Sequence, residues 1–188
     1  MLRRTSVILF LGLGSVAACG GKGPAAGGSG PGSSAPTAAV KLADPTSESI
    51  GGIGIGDSAA AVETAFGAPT TKGEVVEWEA TGDRTSTWTW DGKGLKLEMA
   101  ETPGGPAVHQ LSVAAPSTFT TSRGVGIGTP FAEVDKIYGE FRGQGRQEGE
   151  PERWTAEDGI IVGSVYGGTF FTFVDGKVSS IFVGAGAE

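Results

Sequence analysis

An internal repeat limits the folds open to this chain more than any other feature. Gly54-Ile55-Gly56-Asp57-Ser58 precedes Val62, Phe66 and Gly67. Seventy-two residues later Gly126-Ile127-Gly128-Thr129-Pro130 precedes Val134, Tyr138 and Gly139. Trp78-Glu79-Ala80 answers Trp154-Thr155-Ala156, and Trp90 answers Tyr166, both at a spacing of 76. Val108, Leu111 and Val113 answer Val178, Ile181 and Val183 at a spacing of 70. Self-similarity at a fixed period marks a duplicated structural unit. The expected organisation is two copies, residues 49–116 and 117–188.

Each copy opens with a Gly-Ile-Gly turn and a short helix. In the first, Asp57 is the expected N-cap, and Gly67 followed by Pro69 ends the helix. In the second, Thr129 caps, Pro130 suits the first helical position and Gly139 closes. Val62 and Phe66, like Val134 and Tyr138, are four apart and share a helical face. Three or four strands follow. Trp88 and Trp90 alternate with Thr, Leu95, Leu97 and Met99 share one side, and Phe171 and Phe173 share another, opposite to Phe170. Asp91-Gly92, Asp158-Gly159 and Asp175-Gly176 read as hairpin turns. Gly supplies 34 of the 188 residues, against a usual share of roughly 7%. The fold class these patterns predict is α+β: an antiparallel sheet with a helix from each copy packed on one face.

The N-terminus reads as an address. Arg3 and Arg4 form a positive n-region, Val7 to Val16 a short apolar run, and Val16-Ala17-Ala18-Cys19 a lipobox. The run is too short to span a hydrocarbon core of about 30 Å, so residues 1–18 are a signal peptide and Cys19 the expected lipidation site. Several acyl chains on one residue give stable anchoring to a membrane. Residues 19–48 are mostly Gly, Ala, Ser, Pro and Thr with no aromatic, a composition expected to stay disordered as a tether. Loss of residues 1–18 leaves 12 basic and 21 acidic residues, net −9. An acidic body disfavours nucleic acid as a partner, and anionic lipid repels it, so the lipid and not the surface would hold it at a membrane.

The segment GDSAAAVETAFGAP at 56–69 resembles the helix opening of the SmpA/OmlA small outer-membrane lipoproteins, the BamE-like fold. GTPFAEVDKIYGEF at 128–141 is a looser second match that lacks the final Pro. The tandem arrangement is similar to that of the β-lactamase inhibitory proteins, in which two helix-plus-strands repeats form one sheet with a concave binding face. These resemblances imply protein binding without catalysis. Gly20, where an Asp would otherwise follow the lipidated Cys, implies by the same likeness to Gram-negative lipoproteins an outer-membrane location, facing the periplasm or the cell surface.

Few residues suggest other chemistry. The single Cys and single His exclude a multi-His or Cys-His zinc site, and no D-x-D-x-D-G loop for calcium is present, so no metal or cofactor is expected. The Gly-rich turns lack the G-x-G-x-x-G spacing and no G-K-[ST] follows them. His109 has no Ser in a G-x-S-x-G elbow to activate, and it reads as a half-buried strand residue sharing a side with Leu111 and Val113. Glu77 and Glu79, two apart on a strand, are close enough for paired-carboxylate chemistry but read most simply as a solvated face. Aromatics remain. Trp78, Trp154, Tyr166 and Phe170 are the binding candidates, because Trp and Tyr dominate interface hot spots. The expected function is that of an anchored envelope lipoprotein binding another protein. The rivals are a glycan or peptidoglycan binder with Trp platforms and, a lesser one, a hydrolase.

Overall fold

The computed structural model describes residues 44, 47–79, 82–150 and 153–186. The signal peptide, Cys19 and the expected tether up to residue 43 lie outside the described residues. The fold is α+β, with two helices and a nine-stranded antiparallel sheet. In chain order the elements are α1 (Ala59–Phe66), β1 (Thr71–Lys72), β2 (Val76–Glu77), β3 (Arg84–Trp90), β4 (Leu95–Ala100) and β5 (Ala107–Ala114). There follow α2 (Phe131–Tyr138), β6 (Trp154–Thr155), β7 (Gly159–Ser164), β8 (Gly167–Val174) and β9 (Lys177–Gly184). The strands run in the order β1-β3-β4-β5-β9-β8-β7-β6, with β2 also against β3. The last strands of the two halves, β5 and β9, pair with each other at the centre.

Two rows of side chains across this sheet build the core. Trp88, Leu97, Leu111, Val183, Thr169 and Val162 are successive register partners, as are Trp90, Leu95, Val113, Ile181, Phe171 and Ile160. Every member of both rows is buried. The period-2 pattern read from β3, β4 and β8 therefore selects one face, as strand geometry requires. Val62 and Phe66 of α1 and Val134 and Tyr138 of α2 join the same cluster. Phe66 meets Trp90 edge-on with ring centroids 6.0 Å apart, and Tyr138 lies 4.9 Å from Phe171. Each such side chain contributes about 1.5–3 kcal/mol by leaving water.

The helix starts differ from the expected caps. Ser58, not Asp57, caps α1, its hydroxyl accepting from the Ala61 N–H. Pro130, not Thr129, holds the N-cap position of α2, with no side-chain cap. Asp57 and Thr129 turn the other way. The Asp57 carboxylate accepts the Gly54 N–H at 2.9 Å, and the Thr129 hydroxyl accepts the Gly126 N–H at 3.1 Å. Each thus closes its own Gly-Ile-Gly turn, and the capping of α1 falls to Ser58 while α2 has no side-chain cap. Both turns are then bound to the sheet in the same way. Val108 accepts from the Gly56 N–H and donates to the Asp57 carbonyl, and Val178 accepts from the Gly128 N–H and donates to the Thr129 carbonyl.

Four further readings change. Strand register places Trp90 opposite Leu95 and Val162 opposite Thr169, so Trp90 corresponds to Val162, and Tyr166 falls in the β7–β8 turn. Likewise Trp154 pairs with Ile160 as Lys72 pairs with Trp88, so Trp154 takes the place of Lys72, and β2 with Trp78 has no counterpart. His109 does not share a side with Leu111 and Val113. Glu98 pairs with Gln110 and Met99 with Val108, leaving His109 as the extra residue of a β-bulge that shifts the alternation. The Asp91-Gly92 turn is one turn of 3₁₀ helix over Asp91–Lys93, and Gly94 rather than Gly92 supplies the left-handed residue. A Cβ at Gly94 would stand 2.1 Å from the Ala114 carbonyl oxygen.

The ordered body starts earlier than residue 49. Glu48 is fully buried, its carboxylate held by Arg123 Nε at 3.0 Å and by the Ser122 N–H and hydroxyl at 3.1 and 2.6 Å. Burial pushes the Tyr138 hydroxyl well above its ordinary range; its hydrogen bond to Thr121 opposes this and the Glu48 charge reinforces it. This polar cluster fastens the entry of the first half onto the loop that begins the second.

Candidate functional site

The sheet has two faces, and the core takes one. The alternate residues of the same strands, among them Thr89, Lys96, Ser112, Ser180, Thr172, Phe170 and Ile161, point to the opposite face. There Phe170 and Phe182, register partners, meet edge-on with centroids 5.4 Å apart. Both are part-exposed, as is Ile161, the register partner of Phe170 on β7.

Two grooves run along this face. One, of about 380 Å³, has Ile161, Phe170 and Thr172 on its floor and Arg153 and Asp158 at its rim. The other, of about 420 Å³, is lined by Thr89, Lys96, Ser112, Ala114 and Ser180, with Asp91 at its end. Thr172 and Ser180 are register partners, so the grooves abut. Both volumes lie in the roughly 300–1,000 Å³ range of binding clefts. The chain end bounds the first groove: Gly186 donates to the Val165 carbonyl, and its neighbour Ala185 accepts from the Gln110 amide. A Cβ at Gly186 would meet the Phe170 ring at 2.9 Å, so the tail lies directly on that aromatic.

The four aromatic candidates separate. Phe170 lies on the opposite face, as its parity against Phe171 and Phe173 predicts. Trp78 is 45% exposed, and its indole N–H donates to the Thr85 hydroxyl at 2.9 Å. Thr85 pairs with Val76 and alternates with the core residues Ser86, Trp88 and Trp90, so Trp78 also lies on the opposite face, at the far end. Tyr166 is 58% exposed at the β7–β8 turn. Trp154 is on the helix side: its indole N–H donates to Asp135 Oδ1, and the Arg142 guanidinium lies 4.6 Å above its ring. Seven strand steps separate Trp78 from Trp154, roughly 30 Å at the usual spacing, so these two form no common stacking platform.

The remaining polar candidates stay apart. Glu77 and Glu79 are exposed. His109, in its bulge, lines neither groove. Among the described residues no cluster of His, Cys, Asp and Glu has the makings of a metal site. Sequence reasoning missed Glu150. Its carboxylate accepts from the Ser164 hydroxyl at 2.7 Å and the Val165 N–H at 3.2 Å. Desolvation opposes ionisation there, but these hydrogen bonds prevail and hold the carboxyl below its ordinary range. Glu150 thereby ties the segment before β6 to the turn that carries Tyr166. No local signal marks it, since its partners are 14 and 15 residues away. The C-terminal tail over Phe170 had a faint signal in the glycines at 184 and 186.

No protein-family model, curated protein or solved structure matches the chain.

Proposed function

We propose that this protein is a lipid-anchored envelope lipoprotein whose sheet docks another protein on the face away from the helices. The observation that carries the reading is the Phe170–Phe182 pair, part-exposed beside two abutting grooves on a face that α1 and α2 leave uncovered. Aromatic side chains at the centre of a broad surface are what protein interfaces use as anchors. The polar groups around them, Ser112, Thr172, Ser180 and Lys96, suit a hydrogen-bonding rim.

In this reading the domain is two copies of one helix-plus-strands unit joined at the β5–β9 seam, with both helices packed on one face. The matching turn bonds at Asp57 and Thr129, and the matching bulges at His109 and Ser179, support the duplication. The likeness to the SmpA/OmlA and β-lactamase inhibitory proteins rests on the opening motif and this arrangement, and it favours docking over catalysis. Cys19, acylated after cleavage, would hold the domain at the outer membrane on a Gly- and Pro-rich tether long enough to let it search. The separation of Trp78 from Trp154 weighs against the glycan platform.

In-cell cross-linking with mass spectrometry tests the reading on wild type, Cys19→Ala and Ser180→Arg. One protein captured by wild type, and lost when either the anchor or the grooved face is altered, supports it. Capture that survives Ser180→Arg, or capture of peptidoglycan alone, overturns docking on this face.

A further inference from the structure

The molecule has a second exposed apolar surface that its fold does not explain. Six large hydrophobic side chains are exposed among the described residues, and three of them, Val75, Val76 and Trp78, fall within four positions at 43%, 58% and 45% exposure. They belong to β2 and its flanks. This strand pairs with β3 on one side only, and no counterpart exists in the second half. The repeated scaffold therefore does not need it, and the core does not use it, because both β2 residues are exposed. Contiguous apolar exposure on a free strand edge is normally avoided, since it invites pairing with another chain.

The chemistry around this edge specifies what would pair. Val76 and Trp78 lie on one side of the strand, over Thr85, and Glu77 lies on the other. Glu74 and Glu79 flank it, and none of the three glutamates forms an ion pair among the described residues. An incoming strand would bond its backbone to the free edge of β2. Its alternate side chains would then meet Val76 and Trp78 on one face and Glu77 on the other. Apolar residues suit the first face and Lys or Arg the second.

We propose that the β2 edge binds an extended polypeptide segment of a partner in which apolar and basic residues alternate, by strand addition. This site shares no residue with the two grooves and does not depend on docking there, although Trp78 stands at the far end of the same face. Its Trp78 is the anchor, and the glutamates select the charge.

The test is fluorescence anisotropy on the full chain with a labelled peptide of alternating Lys and Val. The comparison peptide has the same composition in two blocks, all Lys and then all Val. The alternating peptide is expected to bind about tenfold or more tightly than the block peptide. Trp78→Ala, and independently the exposed double charge reversal Glu77→Lys with Glu79→Lys, should each weaken it about tenfold or more, with Phe170→Ser without effect. Hydrogen exchange should slow at residues 74–78 when the alternating peptide is bound. Equal binding of the two peptides would reduce the interaction to attraction between opposite net charges and overturn the proposal. So would full affinity after the double reversal.

Discussion

Glu48 shows how a single buried charge can define where a domain begins. Its carboxylate is fully inside and accepts hydrogen bonds from Ser122 and Arg123, more than 70 residues away. Removing it takes the Glu48 carboxylate from the Arg123 guanidinium, itself mostly buried. Glu48→Ala should therefore cost about 3–5 kcal/mol in urea unfolding, far more than replacing an exposed glutamate such as Glu133. Tyr138 gives a pH dependence of known sign. Its folded-state pKa is raised, so its contribution to stability is intact below the unfolded value near 10 and is lost as pH climbs beyond it. Above about pH 10, stability should fall more steeply in wild type than in Tyr138→Phe, as denaturant midpoints would show. Sequence order concealed both residues' partners. The Ser/Gly-rich run before Glu48 reads as linker to its end, because nothing local distinguishes a glutamate in solution from one with a basic partner 75 positions on.

At the scale of elements, the period-2 alternation was the readable part, and the exceptions have physical causes. Trp88, Leu97 and Phe171 take the core face as their spacing predicts, because a slip by one residue would expose all of them. His109 departs from the alternation because a bulge adds one residue to β5, and Ser179 marks the matching bulge in β9. Asp57 and Thr129 are fit to cap helices but are used by the glycine turns they follow. Gly94, between β3 and β4, is a turn residue that admits no side chain. Gly94→Ala should cost about 2 kcal/mol or more, since it combines a left-handed backbone at φ 56° with a collision against the Ala114 carbonyl. Phe66→Ala, which empties the space between Trp90 and Phe119, should cost about 3–5 kcal/mol by thermal or urea unfolding.

At the scale of the whole molecule, one sheet serves two purposes. Its buried face holds two helices through a continuous double row of side chains, and its other face keeps Phe170, Phe182 and the abutting grooves within reach of solvent. The aromatic content pointed to this division without resolving it. Parity alone separated Phe170 from Phe171, whereas the fate of Trp154 depended on Asp135 of α2 and on Arg142, four residues past the end of that helix. Stability should grade outward from the central seam. Amides of β5 and β9 should exchange slowest, and those of the two-residue edge strands β1, β2 and β6 fastest. The most direct test of docking on the grooved face is site-specific photo-cross-linking in cells. A photoreactive residue is placed either at Ser180, where the grooves meet, or at Glu133, on the exposed side of α2. The docking account predicts that one protein is captured from position 180 and not from position 133; capture from position 133 alone, or equally from both, would contradict it.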